Sequence, residues 1–451
     1  MQPHELSLEE LAVSVGVDAS TVLGWHRLGL LVGDGERFSL QDLERSRLIL
    51  YAERRGISVD EIVEACRTQG DLLSQFVKLV VGDNPRRGRR IEDAAGATGL
   101  DPATLHSIWV ASGFGDQEEV YDEDLDALRT VGAVLAAGLP EDALVQLVRV
   151  LADALGRVAE AENRLFHYYV HERLRSQGLS GEDLGLATSA VSDPIIGLIE
   201  PTVLYFHRKA FQRELRDDFV LHLTEATTPP GEAIGEMTAT ILFVDLSGFT
   251  PMTESMGDVA AARVVARFSD LVREAAGRHD GKVVKQIGDE FMLVFTDPAD
   301  AVRFGLAVDH AVSAESHFPG LRIGAHHGSL LYREGDYIGT TVNIAARVTA
   351  AAKRHEFLVT DALRLQARLP PDVELVAVGG RALKGISGEV ALHQIRHGSP
   401  RDRMVDPVCH MLLDPATVGA TVSWRGTDLK FCSTTCAERF QAQPEQYGGE
   451  A

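Results

Sequence analysis

Two aspartates stand where an apolar run breaks at a glycine turn: Asp245 in Ile241-Leu-Phe-Val-Asp245-Leu-Ser-Gly248, and Asp289 in Lys285-Gln-Ile-Gly-Asp289. A carboxylate leaving a buried strand is held rigidly and meets solvent at one edge, a setting that suits a hard divalent ion. Two such carboxylates from neighbouring strands can share a pair of Mg²⁺ ions and a triphosphate. Asn343 and Arg347 are four residues apart in a stretch of helical pattern, so both lie on one helix face. Near the end of the chain, Cys409, Cys432 and Cys436 fall within about fifty residues. They fit either a site for a soft or borderline ion such as Zn²⁺ or Cu⁺, or a small cysteine-bearing fold without metal.

The elements that must position the two aspartates alternate between strand and helix. Strands are expected at Ala239–Leu246, Lys282–Gln286, Glu290–Phe295, Leu321–Leu330, Phe357–Val359, Val373–Val378 and Val390–Ile395. Helices are expected at Val259–Ala276, Pro298–Glu315 and Thr341–Lys353. That order describes an α+β sandwich of the ferredoxin-like kind, with helices on a mainly antiparallel sheet, over residues 236–397.

This segment resembles the catalytic domain of class III nucleotidyl cyclases. The resemblance rests on five ordered motifs: Phe243-Val-Asp245-Leu-Ser-Gly-Phe-Thr, Lys285-Gln-Ile-Gly-Asp289, Leu321-Arg322-Ile-Gly-Ala-His-His-Gly328, Asp336-Tyr-Ile-Gly339-Thr-Thr-Val-Asn343-Ile-Ala-Ala-Arg347, and Leu383-Lys384-Gly385. It implies that Asp245, the Leu246 carbonyl and Asp289 hold two Mg²⁺ or Mn²⁺ ions. It further implies that Lys285 and Asp336 read the base, and that Arg322 and Lys384 hold the phosphates. Asn343 would orient the ribose, and Arg347 would stabilise charge on the α-phosphate. The Lys/Asp pair favours ATP over GTP, because adenine offers an acceptor and an exocyclic amine where guanine reverses that order. In this family the metal and base residues come from opposite subunits, so a homodimer with two equivalent sites is implied.

The N-terminal third repeats itself. Ser7 to Trp25 reads as helix, glycine turn, Asp18 cap and second helix, and Ser39 caps a further helix from Leu40 toward Arg54. About 82 residues later Gly99-Leu-Asp101, Asp122-Glu-Asp124-Leu125 and Gly138-Leu-Pro140 match the first copy, which marks an internal duplication. Both copies, over residues 1–70 and 86–152, resemble the winged-helix head of MerR-type regulators. The second helix of the first copy offers one Arg, Arg27, and its counterpart Ala103–Trp109 offers no Lys or Arg. With a formal charge of −22, this argues against nucleic acid as partner. The run Arg86-Arg87-Gly88-Arg89-Arg90 reads as a solvated linker.

Helical patterns at Asp142–Val170 and from about Pro194 to Leu223 fill a regulatory or dimerisation region at 153–226. It carries His167, His171, His207 and His222, which as a group could titrate near neutral pH and shift a packing interface. The region also resembles the regulatory halves of bacterial cyclases that respond to pH. Thr227-Thr-Pro-Pro-Gly231 reads as a linker, within 227–235. The tail at 403–451 resembles the YHS domain, with His410 where that family usually has Gly.

No run of about 18 apolar residues appears, and four cysteines suit a reducing compartment, so the chain reads as cytoplasmic with no membrane partner. The leading expectation is an adenylyl cyclase governed by its helical region. The alternative is a DNA-binding or metal-responsive regulator that uses the cyclase domain as a nucleotide sensor.

Overall fold

Helix-capping residues set the boundaries of the N-terminal unit. The computed structural model describes residues 5–81, 88–114, 119–225, 235–315, 318–369, 371, 373–397, 404–409, 411, 413 and 418–447. Residues 227–234 of the linker expected at 227–235, together with Arg86, Arg87 and His410, lie outside these residues. The chain divides into two units, Met1–Thr228 and Pro229–Ala451.

The first unit opens with β1 (Glu5–Ser7), α1 (Leu8–Val15), α2 (Ala19–Arg27), β2 (Arg37–Ser39), α3 (Leu40–Glu53), α4 (Val59–Gln69) and α5 (Leu72–Val81). Ser7, Ser39 and Ser58 each form a capping box with the acidic residue three positions on, and Asp18 caps α2. Leu11, Val22, Trp25, Phe38, Leu43 and Ile49 close one small core. The second copy follows as β3 (Arg89–Arg90), α6 (Ile91–Thr98), α7 (Pro102–Ala111), β4 (Glu119–Val120) and α8 (Asp122–Ala136). Its core repeats the first with Leu105, Ile108, Trp109 and Leu125. One expectation is corrected here. Arg89 and Arg90 are not linker but a strand, with Arg90 opposite Glu119 of β4, a separate two-stranded sheet that matches the β1-β2 pair of the first copy.

Next come α9 (Glu141–Phe166), a π-helical turn (His167–His171), α10 (Glu172–Ser176) and α11 (Gly181–Glu225). The second long helix therefore begins well before Pro194 and holds both Pro194 and Pro201 inside it. Periodicity alone stops at a proline, because the ring removes one helical bond; a helix of 45 residues keeps enough other bonds to run through. Leu147, Leu151 and Leu155 on α9 are exposed in the single chain, as are Leu204, Phe211 and Phe219 on α11.

The second unit begins with β5 (Glu236–Leu246), α12 (Phe249–Met256), α13 (Asp258–Arg278), β6 (Lys282–Ile287), β7 (Glu290–Phe295) and α14 (Pro298–Ala314). It continues through β8 (Leu321–Arg333), β9 (Asp336–Ile338), α15 (Thr340–Ala351), β10 (Glu356–Thr360), α16 (Asp361–Gln366), β11 (Val373–Ala382) and β12 (Glu389–His397). A small tail adds β13 (Ala420–Trp424), β14 (Thr427–Phe431), α17 (Thr434–Ala442) and α18 (Pro444–Tyr447). The main sheet runs β11-β12-β10-β8-β5-β7-β6, with β9 paired to β8, and is antiparallel except for β8 against β10. Neither α12, α16 nor β9 was expected from periodicity.

Alternation along the strands sorts side chains to two faces. Leu242, Val244, Phe291, Leu293 and Ile323 face one way, into the main core with Phe268 and Val308 of α13 and α14. Ile241, Phe243, Met292 and Val294 face the other way, toward Ala345 of α15. That helix approaches β8 very closely. A Cβ on Gly324 would stand 2.2 Å from the Thr349 backbone nitrogen, and one on Gly328 would stand 2.8 Å from Thr341 Oγ1. The two glycines are thus a track on which α15 lies. Gly324→Ala should destabilise this unit by about 2 kcal/mol through forced separation. Chemical denaturation checks this: an unchanged midpoint would mean that α15 has slack the geometry does not show.

Candidate active site

The face covered by α15 also gathers the charged groups. Asp245 is the penultimate residue of β5, paired across the sheet with Glu290 of β7 and Arg322 of β8. Antiparallel partners point to the same side, so the three charges share one patch. Asp245 is buried, and Arg322 Nη2 donates to its Oδ2. Arg322 Nε is buried without an acceptor. Asp289 sits in the tight turn between β6 and β7, where Gly288 takes a φ of +62°. Its carboxyl is pushed up to about 7, first by burial and then by the charge of Asp245 and a hydrogen bond to it; Arg322 offsets this in part. Glu290 is also raised, by burial and by Asp245.

Three carboxylates thus converge with one guanidinium, and a dication here would offset the repulsion that adds to burial in raising Asp289 and Glu290. The donors are all oxygens, which suits Mg²⁺ or Mn²⁺. Leu246 ends β5 fully buried, beside Ser247, whose N–H donates to the Gly320 carbonyl at 2.7 Å. Glu290 was not singled out from the sequence; its only signal was its place directly after Asp289.

A second group forms around Lys285. The bulge between Val283 and Lys285 lets Lys285 stand opposite Met292, on the α15 side of the sheet. Its Nζ donates to Asp336 Oδ2, and both side chains are about 40% exposed. Asp336 Oδ1 also accepts from the Tyr337 N–H at 2.9 Å, which fixes the carboxylate at the start of β9. Asn343 and Arg347 lie exposed on α15. Lys384 is exposed in the turn between β11 and β12, next to Leu383, which packs with Val348 of α15 and with Ala352 just past its end. The structure therefore brings Asp245, Asp289 and Arg322 together, pairs Lys285 with Asp336, and leaves Asn343, Arg347 and Lys384 facing solvent.

The family described as Adenylate and Guanylate cyclase catalytic domain matches residues 234–397, and the YHS domain family matches residues 404–451. The chain belongs to the class III nucleotidyl cyclases, a family that uses Mg²⁺ or Mn²⁺. Among its relatives is an uncharacterised protein of Mycobacterium tuberculosis, 30% identical across 80% of this chain and 93% of that one. A pH-sensitive adenylate cyclase of Mycobacterium tuberculosis is 28% identical across 79% of this chain and 89% of its own length. An adenylate cyclase of Streptomyces coelicolor is 27% identical across 60% of this chain and 69% of its own. No helix among the described residues is long and apolar enough to cross a membrane.

His326, in the glycine-rich part of β8, is pulled down to about 4 by burial and, less, by His327. Its Nδ1 is 2.7 Å from Thr360 Oγ1. A histidine whose folded pKa is lowered contributes stability that is complete above the unfolded value of 6.5 and is lost as pH falls toward 4. His326→Gln should therefore flatten the loss of stability of this unit across that window. Denaturation midpoints measured from pH 7 down to about 4 test this; parallel curves for variant and parent would assign the acid sensitivity elsewhere.

Proposed function

We propose that the protein is an adenylyl cyclase, acting as a homodimer to convert ATP to 3′,5′-cyclic AMP and pyrophosphate. The observation that carries the choice of ATP is the ion pair between Lys285 and Asp336. An ammonium beside a carboxylate presents a donor and an acceptor side by side. Adenine answers with a ring-nitrogen acceptor and an amine donor, whereas guanine presents the reverse order and meets like against like. Two of the relatives described above carry the name adenylate cyclase, which supports the same choice.

In this reading the 3′-hydroxyl oxygen attacks the α-phosphorus, its proton is lost, and the bond to pyrophosphate breaks. Mg²⁺ or Mn²⁺ ions held by Asp245, Asp289 and the Leu246 carbonyl supply Lewis acidity and neutralise the triphosphate when bound. Arg322, with one buried N–H lacking an acceptor, takes a phosphate oxygen. Lys384 holds the outer phosphates as a mobile point charge. Asn343 orients the ribose, and Arg347 meets the charge that grows on the α-phosphate with a rigid fork of donors. Both are exposed on α15, which suits completion of the site by a second copy. The exposed apolar residues along α9 and α11 likewise suit a twofold partner.

The helical unit is the regulatory half, and its input is pH. His167 and His171 stack with ring centroids 5.2 Å apart, so protonation of both places like charges in contact. His167 Nε2 lies 3.6 Å from a Glu172 carboxylate oxygen, and His222 Nδ1 lies 3.5 Å from one of Asp218. A truncation beginning at Glu232 should lose the pH profile of the full chain beyond what the catalytic groups impose; an identical profile would remove this role.

Purified protein should turn over ATP in preference to GTP. Replacing Lys285→Glu together with Asp336→Cys should lower kcat/KM for ATP on the order of 10²-fold or more, and undiminished ATP turnover would end the base assignment. Mixing Asp245→Ala chains with Lys285→Ala chains should restore activity that neither variant shows alone. Failure to complement, in a mixture shown to exchange subunits, would argue that each site is built from one chain.

A further inference from the structure

Two glycines bracket α12, and little of its own sequence holds it. Gly248 precedes the helix at a φ of +79°, Gly257 ends it at +80°, and no side chain caps its start. Eight residues are too few for a helix to stand in water without tertiary support. Among its described residues Met252 alone is buried, and it lies outside the main core. Its cluster consists of Ala261 of α13 and residues of the C-terminal tail, with Val408, Met411, Phe431 and Phe440 among them. Phe249, at the head of the helix, packs partly against that cluster and partly against the main core.

Asp406 shapes the edge of the tail that makes this contact. It is fully buried, and its Oδ1 accepts from the Val408 N–H at 2.7 Å and the Cys409 N–H at 3.2 Å. Its Oδ2 accepts from the Cys432 N–H at 2.7 Å, and its own N–H donates to the Met411 carbonyl at 3.0 Å. One carboxylate therefore fixes the turn that carries Val408 and Met411 against the end of β14. The thiols of Cys409, Cys432 and Cys436 meet beside it, within 4.8 Å of its carboxylate oxygen and of one another.

From this edge the tail reaches both supports of the Asp245 turn. Arg439 of α17 donates to the Glu254 carbonyl at 2.9 Å. That carbonyl is among the last four of α12, which a helix cannot satisfy from within, and a guanidinium suits the negative end of the helix. Met411 forms a β-bridge with Pro319, just before β8, and the next residue, Gly320, accepts from the Ser247 N–H at 2.7 Å. Only Leu246, Ser247 and Gly248 separate Asp245 from α12. The segment that carries the Asp245 carboxylate and the Leu246 carbonyl is thus held by α12 on one side and by Gly320 on the other. The tail touches both.

We propose that the docked tail is a positioning element of the catalytic site, with Arg439, Met411 and Met252 setting how tightly Asp245 and the Leu246 carbonyl hold a divalent ion. Release of the tail strips the cover from the one buried side chain of α12 and leaves the Glu254 carbonyl without its donor. The helix then frays, and the turn before it samples wider positions. Asp245 stays chemically intact but is no longer held in place, so ion binding weakens before the chemical step does. The tail acts in cis as an activator of the unit it rests on. The contact between tail and α12 stands on its own; only its consequence for the ion rests on Asp245 and Leu246 being metal donors.

Mn²⁺ binding to the full-length chain is measured by the paramagnetic resonance of the free ion, with hydrogen exchange followed on the same samples. Arg439→Ala removes one side-chain hydrogen bond and leaves every apolar residue of the contact in place. It should raise the Kd for Mn²⁺ about 5-fold and speed exchange in Phe249–Met256 by a similar factor. Arg439→Lys should recover part of both. Ala261→Arg, which drives a long side chain into the contact, should raise the Kd more than about 10-fold. Exchange across Glu290–Phe295 should keep the parent's rate; if Arg439→Ala speeds it there too, the tail supports the whole fold and not the turn, which overturns the proposal. Parent-like Mn²⁺ affinity in both variants overturns it as well. Excess Mg²⁺ should restore ATP turnover in Arg439→Ala, and a deficit that excess metal does not repair counts against a positioning role. A parent chain that binds no Mn²⁺ fails the metal donors themselves, a result distinct from a parent that binds and variants that bind equally well.

Discussion

A carboxylate and a guanidinium meet across the central pair of strands, Asp245 with Arg322, and the charged edge of the catalytic unit depends on that pairing. The register of β5 against β8 runs for eleven residues, from Glu236 opposite Leu331 to Leu246 opposite Leu321. Slipping it by one would turn Asp245 toward Phe268 and send Leu246 to the ligand side. The apolar alternation of β5 makes that slip costly, so the hydrophobic pattern itself aims the charges. Arg322 is the nearby cation that offsets part of the repulsion among Asp245, Asp289 and Glu290.

The opposite demand falls on α15. It must lie close enough to bring Asn343 and Arg347 alongside the sheet, and side chains on β8 would hold it away. Gly324 and Gly328 remove that obstacle, and Thr349 fills the gap with a hydroxyl that donates to the Ala345 carbonyl at 3.0 Å. Main-chain contact of this kind leaves little freedom for the helix to drift. The groups at Lys285 and Asp336 are set differently, by a bulge in an edge strand and a short hairpin, and their roughly 40% exposure leaves them within reach of an incoming base.

Much of this was legible in advance because strand and helix periods differ. Glu290–Phe295 was placed to the residue, and Asp258–Arg278 and Pro298–Ala314 to within two residues at either end. Asp245 and Asp289 stood out because acids are rare at the end of an apolar run. What stayed hidden depends on tertiary partners. The α12 helix, eight residues opened by a glycine at positive φ, has no capping side chain and leans on the tail for its core. The two-residue strand at Arg89 exists only through its pairing with β4. Glu290 looked like an ordinary strand start until its neighbours were in place, and the role of Asp406 as an anchor could not be read from spacing to the cysteines.

The two prolines of α11 carry a mechanical consequence. Pro194 and Pro201 are seven residues apart, close to two full turns, so both interruptions open on nearly the same side of the rod. Each removes a stabilising bond from that side and crowds the carbonyl one turn earlier. Compliance therefore adds in a single plane instead of averaging out around the axis. The helix, about 68 Å long at 1.5 Å per residue, is a leaf spring: soft to bowing in one direction, stiff to bowing across it, and able to convert a sideways push into displacement along one chosen bearing.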